Sequence, residues 1–254
     1  MKIISVESNT IYQSNSLSRG IQTFTSFLSD KDKFIFLEDH LNRLLQGADF
    51  LFPTMKWLNK KHDIEAFLQT EFVSSHYYRL TIFDDQILFT KKPHEPKEPF
   101  LNVVKAKSMK IKSIIPAYVK RADYMLADLE IKNSKVDDII FFDDKGNLAE
   151  ASSSNVFVVL DEQTYLTPKS SSIVLDGVIR KKLIEFLKLQ GKAVQECDIS
   201  QAELESAREI WLTNSVQGVR LVDSFEKQIM FKEKSIYQSM CHKFGRFGEK
   251  FNHE

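Results

Sequence analysis

The chain has 254 residues, enough to bury one large hydrophobic core or two modest ones. Basic and acidic residues both number 35, so no net charge favours nucleic acid or an anionic membrane. Cys197 and Cys241 are too few for a disulfide framework. No apolar run approaches the roughly 20 residues that span a bilayer, and residues 1–8 alternate like a strand rather than a secretory signal. We therefore expect a cytoplasmic protein that binds neither nucleic acid nor membrane.

The first third of the chain predicts a small α+β unit. Short strands are expected over residues 3–6, 22–28 and 33–36. Apolar residues spaced by three and four predict a helix over 39–52, ended by Pro53. The next elements in chain order are a helix over 63–72 capped by Asp63 and a hairpin of strands 77–83 and 86–90 that turns through Asp84 and Asp85.

A proline cluster follows this unit. Pro93, Pro96 and Pro99 fall within the segment 91–99, which can continue neither a helix nor a central strand. The cluster predicts a boundary between a small domain, 1–98, and a larger one, 99–254. The alternative is a long surface loop.

The pattern after the prolines is richer in strands. Strands are predicted over 101–106, 109–115, 138–142, 148–149, 156–160, 209–212 and 220–224. Helices are predicted within 116–131 after a short loop, and over 177–190, 199–205 and 231–247. We find no internal repeat and no low-complexity tract.

Residues 146–180 hold the most informative polar groups. Glu150 ends a predicted strand and precedes three serines, and Gly177 opens a helix whose first amides, those of Val178 and Ile179, have no partner within the helix. A carboxylate and a helix N-terminus suit a ligand with a basic nitrogen and a phosphate, as in pyridoxal phosphate. The alternatives are a solvated turn glutamate and an ordinary helix start capped by Asp176.

Two further segments contain phosphate-binding residue types. The loop 212–218 offers Thr213, Asn214 and Ser215 as hydrogen-bond donors, although a polar turn would look the same. Arg43 lies beside the apolar face of the helix 39–52, where a surface arginine is the common alternative.

Taken together, these segments resemble a known family. Seven motifs occur in that family's order: R-G at 19–20, H-L-N-R-L at 40–44, R-L-T-I at 79–82, E-A-S-S-S-N-V-F at 150–157, T-P at 167–168, L-D-G-V-I-R at 175–180 and L-T-N-S-V-Q-G-V-R at 212–220. The chain resembles the class IV (fold type IV) pyridoxal-phosphate enzymes over its whole length. The resemblance implies a mixed α/β fold (α+β) with a small N-terminal α+β domain, a larger C-terminal β-barrel-like domain with flanking helices, bound pyridoxal 5′-phosphate and a homodimer.

The resemblance also assigns the phosphate contacts. Arg43 matches the arginine that binds the cofactor phosphate, and Val178 and Ile179 match the backbone amides at that phosphate. Thr213 and Asn214 fall in the family's other phosphate loop.

The ring and the covalent link are assigned in the same way. Glu150 matches the glutamate that faces the pyridine nitrogen, and Leu175 matches the side chain that packs on the ring. Lys120, in Y-V-K-R-A-D-Y-M-L-A, best matches the Schiff-base lysine. Lys112 and Lys132 are the runners-up, but neither is followed by the family's polar, aromatic and small apolar residues.

The substrate side of the resemblance is less complete. Residues 19–25 lack the family's G-D-G-like turn, which helps to line the substrate pocket. Arg79 is the candidate for binding a substrate carboxylate, and Thr25 is a candidate for proton delivery.

The segment 212–220 is most similar to the lyase branch of the family. That branch eliminates pyruvate from 4-amino-4-deoxychorismate to release 4-aminobenzoate, a folate precursor. An aminotransferase acting on branched-chain or D-amino acids is the alternative with the same cofactor residues. A second alternative, motivated by the missing turn and the position of Lys120, is a cofactor-free binding or scaffold protein with this fold.

Overall fold

The computed structural model describes residues 2–5, 15–226, 228–229 and 234–251. The chain forms two compact units, Met1–Glu95 with Tyr118–Asp123, and Pro96–Ala117 with Tyr124–Glu254. The first break follows residue 95, three residues before the boundary expected from the prolines. The segment that carries Lys120 groups with the first unit, whereas the sequence placed it in the second.

The first unit is a five-stranded sheet with two main helices. Its elements are β1 Lys2–Ser5, α1 Asn15–Ser18, β2 Thr23–Asp30, β3 Lys33–Phe34, α2 Leu37–Leu51, 3₁₀ turns at Pro53–Met55 and Trp57–Lys60, α3 Lys61–Thr70, β4 His76–Phe83 and β5 Gln86–Pro93. The strand order is β1-β5-β4-β2-β3. The predicted hairpin is confirmed, and Asp84 takes the positive φ of 49° that its tight turn requires.

The core of this unit follows from helical spacing on α2. Leu41, Leu44, Leu45 and Ala48 are all buried and pack with sheet residues such as Phe27. Burying these apolar side chains is the main force that holds helix and sheet together.

One prediction for the first unit was wrong, and two others are completed by the structure or extend beyond the described residues. The helix predicted from Asp63 begins at Lys61, and its N-cap residue is Lys60 without a side-chain cap bond, so Asp63 is not a cap. Pro53 does end α2, but it also occupies the first position of the 3₁₀ turn that follows. Of the strand predicted over 3–6, the last residue lies outside the described ranges.

The second unit is built on a nine-stranded sheet that curls into a half barrel. Its elements are β6 Phe100–Lys105, α4 Met125–Ser134, β7 Asp138–Phe142, β8 Leu148–Ala151, β9 Asn155–Val159, β10 Thr164–Pro168, α5 Val178–Leu189, β11 Ala193–Cys197, α6 Gln201–Glu205, β12 Glu209–Asn214, β13 Gly218–Phe225, β14 Gln228–Ile229 and α7 Ser235–Phe244. The order is β11-β10-β9-β12-β13-β6-β7-β8, with β14 beside β13. The predicted mixed α/β fold is confirmed.

Both faces of this sheet are buried along β7 and β9. Along β7, Ile140 and Phe142 belong to one apolar cluster, and Ile139 and Phe141 belong to the other. Successive strand residues point to opposite faces. A strand that is apolar at every position is therefore explained by burial on both sides.

Several predictions for this unit were wrong. Residues 109–115 form no strand, and only an isolated bridge joins Lys110 to Asp143. β10 and β11 were not predicted. The helix predicted within 116–131 spans Met125–Ser134, and that predicted over 231–247 spans Ser235–Phe244, with 231–233 outside the described ranges. Within those ranges, we find no helix both long and apolar enough to cross a membrane.

Candidate active site

In the first unit, β2 and α2 bring three polar side chains together in the interior. Thr25, His40 and Arg43 are each at least nine-tenths buried. The Thr25 Oγ1 lies 2.8 Å from His40 Nδ1, and the Arg43 guanidinium donates to the same oxygen at 3.3 Å. The predicted residues Thr25 and Arg43 therefore belong to one hydrogen-bonded group, with His40 as a member that the sequence reasoning missed.

The charge state of His40 sets the direction of these hydrogen bonds. Burial lowers the pKa of His40 well below its ordinary value of 6.5, and the positive charges of Arg43 and Lys120 lower it further. The ring is therefore neutral at physiological pH. Because a guanidinium only donates, the Thr25 hydroxyl accepts from Arg43 and can give its own hydrogen to Nδ1.

Lys120 is anchored to the strand that carries Thr25. The backbone N–H of Phe24 donates to the Lys120 carbonyl at 3.1 Å. The Lys120 Nζ lies 5.0 Å from the centroid of the Phe24 ring, and the Arg79 guanidinium lies 3.9 Å from the same centroid. Arg79 also donates through Nε to Thr81 Oγ1 at 3.2 Å. The structure thus gathers Lys120 and Arg79 around one aromatic ring.

A glycine on α2 makes room for the lysine segment. A Cβ built on Gly47 would lie 3.0 Å from Thr23 Oγ1 and 3.5 Å from the Val119 Cα. A Cβ at this position would press on the Thr23 side chain and would be in ordinary van der Waals contact with the Val119 backbone. The Thr23 hydroxyl is fully buried and lacks a hydrogen-bond partner among the described residues.

In the second unit, Glu150 is held at both carboxylate oxygens. Oε2 accepts the backbone N–H of Leu175 at 2.8 Å, and Oε1 forms an ion pair with Lys110. The Glu150 side chain is only 14% exposed. Glu150 is therefore not the solvated turn glutamate that the sequence left open. Its partner Lys110 was not predicted, because residues 109–115 were expected to form a strand.

The start of α5 is shaped by Asn155. Gly177 is the N-cap residue, and a Cβ there would lie well inside 3.0 Å of Asn155 Oδ1. Asn155 Nδ2 donates to the Leu175 carbonyl at 2.8 Å, which fixes the turn into the helix. The first-turn amides of Val178 and Ile179 have no acceptor within α5.

Two charged neighbours of this helix start have structural roles. Asp176, the alternative cap, forms a 2.6 Å ion pair with Lys181. Arg180 is buried and donates to the Pro168 carbonyl and to Glu196, both at 2.7 Å.

The loop after β12 meets the helix start through Asn155, which pairs with Thr213 in the β9–β12 register. Asn214 accepts the N–H groups of Val216 and Gln217 and donates to Ser154 Oγ at 2.9 Å. The Asn214 side chain is therefore occupied by the loop itself. The Thr213 hydroxyl is buried and has no hydrogen-bond partner among the described residues.

Pyridoxal phosphate fits the second unit on two structural grounds. A buried hydroxyl without a partner is costly unless a ligand bonds to it, and Thr213 supplies one. A helix start whose cap must be glycine leaves backbone amides open to a phosphate. The described residues contain no group of three or more acidic, histidine or cysteine side chains suited to a metal ion.

A family model for class IV amino-transferases matches residues 22–225 of the chain. That range includes every candidate site residue named above.

Two curated relatives differ in their reaction. The chain is 32% identical over 99 residues to an aminodeoxychorismate lyase of Vibrio harveyi, an alignment that covers 39% of this chain and 36% of the relative. It is 24% identical over 244 residues to a probable branched-chain-amino-acid aminotransferase of Aquifex aeolicus, covering 85% and 77%. The first alignment thus spans about a third of the lyase.

Solved structures share the whole fold. A Legionella pneumophila protein described as a 4-amino-4-deoxychorismate lyase superposes with a TM-score of 0.77 at 19% identity, covering 95% of this chain and 98% of that one. An aminotransferase from Brucella abortus bound to pyridoxal phosphate gives a TM-score of 0.75 at 18% identity, covering 92% and 95%.

Proposed function

Because the chain belongs to the class IV aminotransferase family, and is thus a pyridoxal-phosphate enzyme that acts as a lyase or an aminotransferase, we propose that it eliminates pyruvate from 4-amino-4-deoxychorismate and releases 4-aminobenzoate, a folate precursor. The segment L-T-N-S-V-Q-G-V-R at 212–220 carries this proposal, since it is most similar to the lyase branch. The 32% identity to a lyase over 99 residues supports it.

The contacts of this segment show what its residues contribute. Asn214 shapes the loop, and Gly218, at a φ of 69°, packs against the Arg246 carbonyl so closely that a Cβ would overlap it. Arg220 lies 3.6 Å from the buried carboxylate of Asp138. These three residues hold the loop and the strand after it, and the Thr213 hydroxyl, which has no hydrogen-bond partner among the described residues, is available to a ligand.

The residues that hold the cofactor are assigned by this proposal. Lys120 Nζ would hold it covalently, the Glu150 carboxylate would keep the pyridine nitrogen protonated, and the Leu175 side chain would pack on the ring. When bound, the cofactor supplies a ring that accepts electrons.

The phosphate is assigned to a separate set of donors. These are the Arg43 guanidinium, the amides of Val178 and Ile179, and the loop residues Thr213 and Asn214. Asn214 acts here through the loop that its side chain shapes.

The proton transfers are assigned to groups of the first unit. The Lys120 amine, when it is not bound to the cofactor, would take up and return protons as a general base. Thr25 is the candidate for proton delivery, and its hydrogen bonds with Arg43 and His40 hold the hydroxyl in position.

Arg79 is proposed as the group that binds a substrate carboxylate. Its guanidinium stacks on the same Phe24 ring that lies near the Lys120 Nζ, which favours a carboxylate carried by a substrate at Lys120. Arg79→Lys should raise KM for the substrate with a smaller effect on kcat, because lysine loses the bidentate geometry.

An aminotransferase acting on branched-chain or D-amino acids is the second candidate. The match to the Aquifex relative supports branched-chain substrates for this second candidate, because the alignment covers 85% of this chain. The two reactions need the same cofactor residues and differ in the pocket.

A direct assay separates the two reactions. The purified holoenzyme is given 4-amino-4-deoxychorismate, and pyruvate and 4-aminobenzoate are measured; in parallel it is given branched-chain and D-amino acids with a keto acid. The proposal expects equal amounts of pyruvate and 4-aminobenzoate, lost in Lys120→Ala. Amino transfer that depends on a keto acid, without 4-aminobenzoate, would refute the lyase assignment.

We also propose that the protein is a cytoplasmic homodimer. Large apolar side chains are exposed in the second unit along 109–114 and on one side of α4: Met109, Ile111, Ile114, Met125, Leu126 and Leu129. Glu130 of α4 accepts hydrogen bonds from Lys107 and Ser108, so these two segments adjoin. An exposed apolar surface of this kind fits a subunit contact.

Light scattering should give the mass of a dimer for the wild type. The mass should be reduced in the double variant Met125→Glu/Leu129→Glu and retained in the control Leu189→Glu. A monomeric wild type would refute the proposal.

A further inference from the structure

The Lys110 side chain occupies the acceptor that a bound cofactor would use. Its ammonium pairs with Glu150 Oε1, while Oε2 already accepts the Leu175 N–H. Both oxygens of the carboxylate are therefore engaged within the protein itself. A pyridine nitrogen that approached Glu150 would have to share Oε1 with Lys110 or displace it.

The fold holds Lys110 in this position from both its backbone and its side chain. Its backbone N–H donates to the Phe142 carbonyl at 2.9 Å, and the residue forms a parallel bridge with Asp143. Its Nζ also lies 5.2 Å from the centroid of the buried Phe141 ring. The Lys110 side chain is 27% exposed, so water only partly screens its charge from the carboxylate.

We propose that Lys110 is a positioning residue that tunes cofactor affinity, by competing with the pyridine nitrogen for Glu150. This inference rests on the proposed role of Glu150. A fixed positive charge next to the carboxylate reduces its attraction for a protonated ring nitrogen and repels that nitrogen directly. Lys110 also neutralises Glu150 when no cofactor is bound, which avoids an unpaired carboxylate in a mostly enclosed position.

The test measures binding rather than activity. Cofactor-free full-length protein is titrated with pyridoxine 5′-phosphate, whose hydroxymethyl group forms no covalent bond with Lys120, and the dissociation constant is read from protein fluorescence. Lys110→Met keeps the side-chain stem and removes the charge. It should tighten binding about two- to five-fold, the range expected for one partly exposed ion pair. Lys110→Arg, which keeps the charge, should bind like the wild type.

A double-mutant cycle assigns the effect to the ion pair. Glu150→Gln should weaken binding, and Lys110→Met should have a smaller effect in the Glu150→Gln background, where only the direct repulsion remains. Lys112→Met is the matched control, because Lys112 is exposed two residues further along the same segment. It should bind like the wild type.

The outcomes separate the two claims. If Glu150→Gln leaves the dissociation constant unchanged, the proposed role of Glu150 is wrong. If Glu150→Gln weakens binding but Lys110→Met binds like the wild type or more weakly, the role of Lys110 is overturned. Circular dichroism and thermal melting confirm that each variant is folded, and Lys110→Gln, which also removes the charge, replaces Lys110→Met if Lys110→Met does not fold.

Discussion

Replacing Gly177 by alanine tests the shape of the proposed phosphate site. Gly177 has φ −72° and ψ 137°, a conformation that alanine adopts without strain. The cost of the change must therefore be steric. The new Cβ would lie 3.2 Å from Asn155 Cγ and well inside 3.0 Å of Oδ1, where ordinary contacts begin at 3.4 Å.

The magnitude follows from what must move. Asn155 is 4% exposed, and its amide donates to the Leu175 carbonyl at 2.8 Å, so it has little room to shift. Overpacking of this kind costs about 1–3 kcal/mol, and loss of the hydrogen bond adds about 1 kcal/mol. We expect Gly177→Ala to lower the free energy of unfolding by about 2–4 kcal/mol.

The assay is urea unfolding of the cofactor-free protein, combined with titration by pyridoxine 5′-phosphate. Asn155→Ala removes the obstructing amide, so Gly177→Ala/Asn155→Ala should be about as stable as Asn155→Ala alone. A steric clash with Asn155 is refuted if the free energy of unfolding of Gly177→Ala lies within about 0.5 kcal/mol of the wild type, or if the effects of the two changes are additive.

Three further predictions concern single side chains. His40 gains a proton near pH 6.5 in the unfolded chain but stays neutral there in the folded protein. The free energy of unfolding should therefore fall below pH 6.5 by up to about 1.4 kcal/mol per pH unit. Urea unfolding across pH 5–8 should show a shallower fall in His40→Asn, and identical pH profiles would contradict this prediction. Thr213→Val removes a buried hydroxyl without a partner among the described residues. The free energy of unfolding should be unchanged or rise by up to about 1 kcal/mol, while pyridoxine 5′-phosphate should bind about ten-fold more weakly. Unchanged binding would count against the site. Ser200→Ala removes the capping box of α6 and should cost about 1 kcal/mol of unfolding free energy with no change in cofactor binding, and an unaltered melting temperature would disprove the cap.

Periodic elements were predictable from the sequence. α2 and α5 each present apolar residues at three- and four-residue spacing, and both lie within two residues of their predicted ends. β7 was predicted with its observed bounds, because its short apolar run is typical of a strand buried on both faces. In these segments local pattern and burial agree.

The failures have physical causes that the sequence does not display. Residues 109–115 alternate like a strand, yet Lys110 turns to an acid forty positions away and the apolar side chains Met109 and Ile111 are exposed. β11 is largely exposed and carries the polar residues Gln195 and Glu196, so it lacks the apolar signal of the other strands. Tertiary partners decide both segments.

The candidate site shows the same division. Residues with distinctive motifs, such as Glu150 and Gly177, could be named from the sequence. Residues that support them from other elements could not: His40 orients Thr25, Asn155 shapes the helix start, and Lys110 pairs with Glu150. His40 does stand in the H-L-N-R-L motif, three residues before Arg43, and that spacing was the available signal.

The central claim is that Lys120 carries the cofactor. Holoenzyme reduced with borohydride fixes the cofactor on the lysine that bound it, and peptide mapping by mass spectrometry identifies that residue. We expect loss of the visible absorption on reduction and a phosphopyridoxyl group on Lys120. A modification on Lys110, Lys112 or Lys132, or none at all in protein saturated with cofactor, would contradict it.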